Sequence, residues 1–233
     1  MRYRILTVAA AASGLALLAP AAQAAAPALP TGVVASWQMN ETQGSTVLVD
    51  TSGHGYNGGI GNELTLDGAS HSFPVVPPGG MFVRDHQRLD IINHNALNPG
   101  TADWSVTVRL AWDSPLLGDI NVAQKGQGKV AGGRWHMATP KGHIKCVYED
   151  ATGDGGEVDS WAQPRLTGTG WHIVTCAKVS GMLQLIIDGK TVDTGTKHLG
   201  PITNTTPMTI GGKLHCTCDY WTGKVDYVVV RSG

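Results

Sequence analysis

The sequence predicts an all-β protein in which two sheets share one core, as in a sandwich or a barrel. Short segments that alternate apolar and polar residues recur along the chain, and turn residues separate them. Glycine contributes 31 residues and proline 12, as is typical of a chain with many tight turns. Charged residues make up only 15% of the chain, and beyond its first residues no segment has a capped helical period of useful length.

Each predicted strand follows from a period of two in its residues. Trp104, Val106, Val108 and Leu110 would share one face of a strand, and the residues between them would share the other. Asp188-Gly189 predicts a hairpin turn between two further strands. The chain shows no internal repeat and no shift in composition, which predicts a single domain. The predicted strands are residues 33–39, 46–49, 64–66, 89–92, 104–111, 120–124, 134–138, 144–149, 172–179, 183–188, 191–194, 208–210 and 225–229.

Composition also excludes several classes of protein. A coiled coil would be rich in Ala, Glu, Lys, Leu and Arg, and this chain is not. Apolar residues make up 42% of the chain, which argues against a disordered charged segment. The formal net charge is −1, so nothing marks a nucleic-acid-binding protein, which usually carries a basic patch.

The first 24 residues have the pattern of a signal peptide. Two arginines precede an apolar run, and Ala22-Gln23-Ala24 supplies the small residues that a signal peptidase requires. The run is too short, at ~14 residues, to span a ~30 Å hydrocarbon core. We therefore expect a secreted, extracellular protein without a membrane segment after cleavage, with a short leader at residues 25–32 and one domain at residues 33–233.

Four cysteines in an exported chain predict disulfide bonds, and three pairings are open. Cys146 and Cys176 both lie in predicted strands, where directly opposed residues come within bridging distance. Cys216 and Cys218 are two residues apart, at the outer limit of that distance within a strand. A bond between this second pair requires a bent backbone.

A set of ordered segments resembles the bacterial laminin G-like domains of the concanavalin A-like lectin and glucanase superfamily. In the opening segment a tryptophan strand, a glutamate, a glycine and an Asp-x-Ser-Gly loop follow one another as in those domains, and the resemblance rests on the ordered set instead of any single piece. The Gln124-Lys125-Gly126 segment and the placement of Cys146 and Cys176 resemble a secreted actinobacterial branch. The matching segments, spread over roughly residues 33–230, are Trp37-Gln38-Met39-Asn40-Glu41, Gly44, residues 50–58, Leu66-Asp67-Gly68, residues 104–108, Lys125-Gly126, Gly170-Trp171-His172, residues 185–189, Ile210-Gly211-Gly212 and residues 221–226.

The resemblance implies a jelly-roll sandwich of two antiparallel sheets. That fold is shared by sugar-binding modules, glycosidases, polysaccharide lyases and adhesion domains, so it does not choose a function. Glucanases of this fold carry several acids at alternating positions of one strand. The nearest approach here is Glu157 and Asp159, which follow two glycines at the mouth of a turn, and no third acid continues the pattern. We assign no catalytic residue.

Calcium is common in the resembling family, and the matching positions are Asp50, Asn57 and Asp226. Carboxylate and amide oxygens suit this cation. Asp50 and Asn57 can equally build Asx turns that fix the glycine-rich loop. Both interpretations stay open from the sequence.

Aromatic side chains are the candidates for ligand contact, since sugars stack on aromatic faces. Trp37, Trp104 and Trp171 lie on core strands or a strand entry of the family pattern, so we expect them to be buried, and Trp221 takes the place of a core phenylalanine. Three tryptophans without a place in the core pattern are the predicted ligand-binding residues: Trp112, Trp135 and Trp161.

Together these observations predict a secreted, non-catalytic module that binds carbohydrate or a cell-surface polymer, with calcium as its one candidate cofactor. One alternative is a polysaccharide-degrading enzyme of the same fold. Another is an adhesion domain with a protein partner. The sequence indicates no nucleic-acid partner and gives no oligomeric state.

Overall fold

The structure, a computed structural model, describes residues 28–74, 87–113, 120–128, 130–214 and 219–233. The predicted signal peptide at residues 1–24, with Cys216 and Cys218, lies outside them. The described strands are β1 Gly32–Trp37, β2 Val47–Leu48, β3 Gly58–Ile60, β4 Thr65–Leu66, β5 His71–Phe73, β6 Leu89–Ile91, β7 Trp104–Ala111, β8 Asn121–Lys125, β9 Arg134–Ala138, β10 Lys145–Glu149, β11 Gly155–Asp159, β12 His172–Val179, β13 Met182–Ile187, β14 Lys190–Thr194, β15 Met208–Ile210 and β16 Gly223–Ser232.

These strands form two antiparallel sheets. The first, called the β7 sheet, has the order β14-β13-β12-β7-β16-β5-β4, and β1 also pairs with β16. The second, called the β8 sheet, has the order β11-β10-β9-β8-β15-β6-β3-β2. The predicted all-β jelly-roll sandwich is confirmed. The helical segments among the described residues are two single 3₁₀ turns, Asn95–Leu97 and Pro140–Gly142, and neither has the length or apolar character to cross a membrane.

The core lies between the sheets and is filled by alternate residues of their strands. Val106, Val108 and Leu110 of β7 are fully buried there, as the period of two predicts. Trp104 at the start of β7 packs against Trp135 of β9 in the opposite sheet, with ring centroids 4.8 Å apart. This contact fixes which face of each central strand points away from the core.

Cys146 on β10 and Cys176 on β12 form a disulfide bond, with 5.7 Å between their Cα atoms, which confirms the predicted bond. The expectation that they lie on paired strands is wrong. β10 pairs with β9 and β11, whereas β12 pairs with β7 and β13. The bond therefore crosses the core and joins the two sheets, because both cysteines point inward.

Strand β16, the last strand, lies next to β1, the first strand. It pairs with β7 on one side, and β1 lies along its other side with Gly32 opposite Ser232 and Trp37 opposite Val228. The register between β16 and β7 shifts between Val225 and Tyr227. This β-bulge sits at Asp226 and re-aims its side chain.

A lysine is buried at the edge of the core. The Lys125 ammonium lies within 2.7–3.2 Å of the Asn93 Oδ1, Asn204 Oδ1, Asn204 O and Thr206 O atoms. Burial disfavours the charged form and lowers the pKa of Lys125 to about 8. All four partners are neutral oxygens, so the charge is solvated by dipoles instead of a carboxylate.

Candidate functional site

An exposed tryptophan lies on the outer face of the β7 sheet. Trp171 comes directly before β12 and is 37% exposed. Val108 and Leu110 point into the core, so Arg109 between them points outward. The Arg109 guanidinium carbon lies 4.7 Å from the centroid of the Trp171 ring, which is a cation–π contact.

The same arginine is held from a second side by a carboxylate. Arg109 Nη1 pairs with Asp226 Oδ2, and both side chains are partly exposed. Asp226 reaches this position because it lies at the β-bulge of β16. The guanidinium is therefore positioned between an indole ring and an acid, and its remaining N–H groups are fixed in direction.

A depression of about 240 Å³ lies near this cluster, although none of Trp171, Arg109 and Asp226 lines it. Ala111 lines it, and Ala111 is two residues beyond Arg109 on the same face of β7. Lys224, the register partner of Ala111 on β16, brings an ammonium group to it. Its whole lining is Ser72, Phe73, Ala111, Trp112, Asp113, Thr222, Gly223 and Lys224. We call the surface formed by Trp171, Arg109, Asp226 and this depression the Trp171 face.

The Trp171 face combines an aromatic ring with charged groups. An indole offers a flat apolar surface, while Arg109, Asp226 and the exposed Lys224 offer hydrogen-bond donors and acceptors. The depression is smaller than the ~300–1,000 Å³ of pockets that hold drug-sized ligands. It suits one ring of a larger ligand better than a whole enclosed molecule.

The three predicted ligand tryptophans do not converge. Trp112 and Trp135 are each only 2% exposed and belong to the core, so neither presents a ring face to solvent. Trp112 still contributes to the wall of the depression. Trp161 is 46% exposed but lies after β11 at the edge of the other sheet, where its ring packs on His143 with centroids 4.4 Å apart.

Trp171 was expected in the core, and that expectation is wrong. The signal that could have placed it is the disulfide. Cys176 must point inward to bridge the sheets, so Val174 also points inward, and Trp171 and Ile173 then fall on the outer side. Ile173 is accordingly exposed beside Trp171.

The predicted calcium ligands are engaged in hydrogen bonds. Asp50 Oδ1 accepts the backbone N–H groups of Ser36 and Ser52, both at 2.9 Å, and Asp50 Oδ2 accepts the Tyr56 N–H at 2.9 Å and the Ser52 hydroxyl at 2.8 Å. Burial pushes the pKa of this carboxyl up, but these bonds together leave it below its ordinary value. Asn57 Oδ1 accepts the Asp50 N–H at 2.8 Å.

Asp226, the third of these residues, pairs with Arg109 instead of facing the loop. The described part of the chain contains no group of three or more His, Cys, Asp or Glu side chains placed to hold a metal ion. Asp50 forms an Asx turn with the Ser52 N–H two residues on, whereas Asn57 reaches back seven residues to the Asp50 N–H and closes the loop. Calcium binding stays a prediction that these contacts do not support.

Comparison with known proteins shows the family. Residues 86–232, more than half of the chain, match the Laminin_G_3 family of the concanavalin A-like lectin/glucanases superfamily. The chain belongs to this family. None of the curated proteins compared with this laminin G-like domain matches it significantly.

Several solved structures are similar to this laminin G-like domain. The binding domain of Paraclostridial Mosquitocidal Protein 1 superposes with a TM-score of 0.62 at 13% identity, over 86% of this chain and 48% of that one. The receptor binding domain of botulinum neurotoxin D gives 0.60 at 14% identity, over 86% and 48%. The botulinum neurotoxin serotype D ligand binding domain in complex with N-acetylneuraminic acid gives 0.58 at 15% identity, over 86% and 46%. The laminin G-like domain spans about half the length of these structures, and the likeness establishes the fold alone.

Proposed function

We propose that this laminin G-like domain is a secreted, non-catalytic module that binds carbohydrate through the Trp171 face. The observation that carries the proposal is the exposed Trp171 ring, held against Arg109 and Asp226 beside a depression of about 240 Å³. A pyranose ring has an apolar C–H surface and a rim of hydroxyls. The indole complements the first, and the charged pair complements the second.

The relatives lend support without deciding the ligand. The superfamily is named after lectins and glucanases, and one similar domain was solved in complex with N-acetylneuraminic acid. Sugar binding is thus compatible with the fold. The residues that would do it here come from this chain alone.

The acids considered for catalysis have other contacts. Glu157 is 61% exposed and lies 4.0 Å from Lys145 Nζ, while Asp159 Oδ1 accepts the Trp161 N–H at 2.9 Å. Neither acid belongs to the Trp171 face, because both lie on β11 at the edge of the β8 sheet. No observation in the described residues favours the enzyme alternative over the binding module.

The proposal is tested on a glycan array, followed by calorimetric titration of each positive glycan. We expect Trp171→Ala to weaken binding at least about tenfold, equivalent to about 1.4 kcal/mol. Trp161→Ala is the matched control, since it removes the other exposed tryptophan of the described residues, at the edge of the other sheet, and should leave affinity unchanged. Equal affinity of wild type and Trp171→Ala, or loss confined to Trp161→Ala, would contradict the proposed site. An array without any bound glycan would favour the adhesion alternative.

Export is the second part of the proposal. The pattern at residues 1–24 supports it, and so do the Gln124-Lys125-Gly126 segment and the cysteine placement that resemble a secreted actinobacterial branch. Expression in a bacterium with a general secretion pathway should release a protein whose first residue is Ala25. Mass spectrometry of culture medium and cell pellet checks this, and full-length protein confined to the pellet would refute it.

A further inference from the structure

Strand β11 forms one edge of the β8 sheet, and part of its backbone is unpaired. The Ser160 N–H donates to Ile144 O, whereas the Asp159 N–H points the other way and donates to Asp193 Oδ2. Because successive residues of a strand alternate in direction, the N–H and C=O groups of Gly155 and Glu157 point away from β10. Within the described residues these groups have no partner, so the edge is open at Gly155 and Glu157, whereas β14 packs against it at Asp159.

Depressions lie on both sides of this open edge. One of about 280 Å³ lies on the inner side and is lined in part by Gly156, Leu183 and Leu199. The other, of about 260 Å³, lies on the outer side and is lined in part by Val147, Glu149 and Glu157. A strand added to a sheet edge points successive side chains to opposite faces, so each depression would receive alternate side chains.

The glycine at position 156 is not required by the fold. Its φ is not positive, and a Cβ placed there would meet only Leu199 Cδ2, at an ordinary 3.6 Å. The position points inward between the buried Tyr148 and Val158, where a side chain would fill the inner depression. Glycine inside a strand often marks the close approach of another backbone.

Acidic groups outnumber basic ones around the edge, where Lys197 lines the inner depression and Lys145 Nζ lies 4.0 Å from Glu157. Asp154, Glu157 and Asp159 lie on or beside β11, and Asp193 contacts it. Arg134 is already paired with Glu149 at 2.9 Å. A second copy of this chain is a poor partner, because antiparallel pairing of β11 with itself centred on position 157 would bring two Glu157 carboxylates together.

We propose that the β11 edge binds an extended basic peptide segment, which adds to the β8 sheet as a further strand. Lysine or arginine side chains of the segment cover the outer depression near Glu149 and Glu157. Apolar side chains between them enter the inner depression against Leu183 and Leu199. The backbone groups of Gly155 and Glu157 supply the hydrogen bonds of the new ladder. This surface is independent of the Trp171 face.

The experiment uses the disulfide-bonded domain and a labelled probe peptide of alternating lysine and valine, measured by fluorescence anisotropy. We expect saturable binding and shifts of the Gly155 and Glu157 amide signals in NMR spectra. The same peptide with N-methyl groups on alternate residues should bind at least about tenfold more weakly, since it cannot complete the ladder. A peptide with glutamate in place of lysine should not bind.

Variants locate the site. Gly156→Leu should weaken binding by filling the inner depression, and Glu157→Gln should weaken it by removing charge while keeping the backbone. Trp171→Ala is the control and should bind the peptide as the wild type does. Absence of binding by the unmodified peptide, equal binding of the methylated peptide, or folded Gly156→Leu protein of unchanged affinity would each overturn the proposal. So would a dimer of the chain that Gly156→Leu dissociates.

Discussion

The Arg109 guanidinium carbon lies 4.7 Å from the centroid of the Trp171 ring, and the same guanidinium pairs with Asp226. One indole contact and one carboxylate contact therefore fix a single arginine on the outer face of the β7 sheet. The arrangement depends on the exposed residue before β12 and on the bulge in β16, the strand that pairs with β7. It orients hydrogen-bond donors before any ligand arrives, which reduces the entropy lost on binding.

The planar shape of the Arg109 side chain should matter for glycan binding. Arg109→Lys keeps the charge but loses the planar group that stacks on the indole. A lysine without that contact must be ordered by the ligand, which costs about 0.5–1.5 kcal/mol, so we expect glycan affinity to fall about two- to tenfold. Calorimetric titration with a glycan identified on the array measures it. Arg165→Lys, at an exposed arginine elsewhere, is the control, and an equal effect of both variants would contradict the role of Arg109.

Removal of the inter-sheet disulfide should lower stability. Cys146 and Cys176 are separated by 30 residues, and closing a loop of that size stabilises by about 3–4 kcal/mol in the chain-entropy model. Urea denaturation of the Cys146→Ala/Cys176→Ala protein should show this loss in the free energy of unfolding. The dependence on urea should also steepen, because the unlinked unfolded chain exposes more surface. A loss below about 1 kcal/mol would show that the bond contributes little.

Lys125 should give the protein a stability that rises in alkaline solution. Its folded pKa, about 8, lies below the ordinary value of 10.5, so the unfolded chain binds more protons between these two pH values. The free energy of unfolding of the wild type should therefore gain roughly 3 kcal/mol over this range relative to Lys125→Met, at about 1.4 kcal/mol per pH unit. Denaturation of both proteins from pH 7 to pH 10.5 checks it. Parallel curves would show that Lys125 titrates normally.

Excess EDTA should leave the Tm unchanged, because the Asp50 and Asn57 oxygens already accept hydrogen bonds. A cation bound only to the folded state would raise stability and its removal would lower it. A Tm that falls in EDTA and recovers in calcium chloride would establish the calcium site and contradict this expectation.

Asp50→Ala should destabilise the protein by roughly 2–3 kcal/mol, since it leaves loop N–H groups without an acceptor.

Many strand positions were predictable because alternation is a local property, but three strands were missed. These are β3, β5 and β11, and the glycines that begin β3 and β11 were wrongly expected to form turns. Residues 104–111 and 172–179 are strands with the boundaries that the sequence predicts, and Val106 and Val108 are buried as expected. Which strands pair with each other depends on contacts between residues far apart in the sequence, and the period of two does not determine these contacts. For this reason the Cys146–Cys176 bond was predicted but its path across the core was not.

The candidate site was harder to predict than the fold. Trp171 has the same sequence context as a core residue, and its exposure follows only from the inward direction of Cys176. Asp226 reaches Arg109 because a bulge shifts the register of β16, and one inserted residue leaves no trace in hydropathy. Trp112 continues the row of Trp104, Val106, Val108 and Leu110 at a period of two, so the sequence carried a signal for its burial that the prediction of a ligand contact overlooked.

The pairing of β1 with β16 has a mechanical consequence. Gly32 lies opposite Ser232, so a pulling force applied at both of these residues acts at one end of the antiparallel pair. The hydrogen bonds of such a pair lie across the strands and would be loaded one after another, which opens the pair like a zipper. The disulfide lies on β10 and β12, away from that path. Under tension the domain should therefore first yield by peeling β1 from β16, while the cross-linked centre of the sandwich keeps its fold.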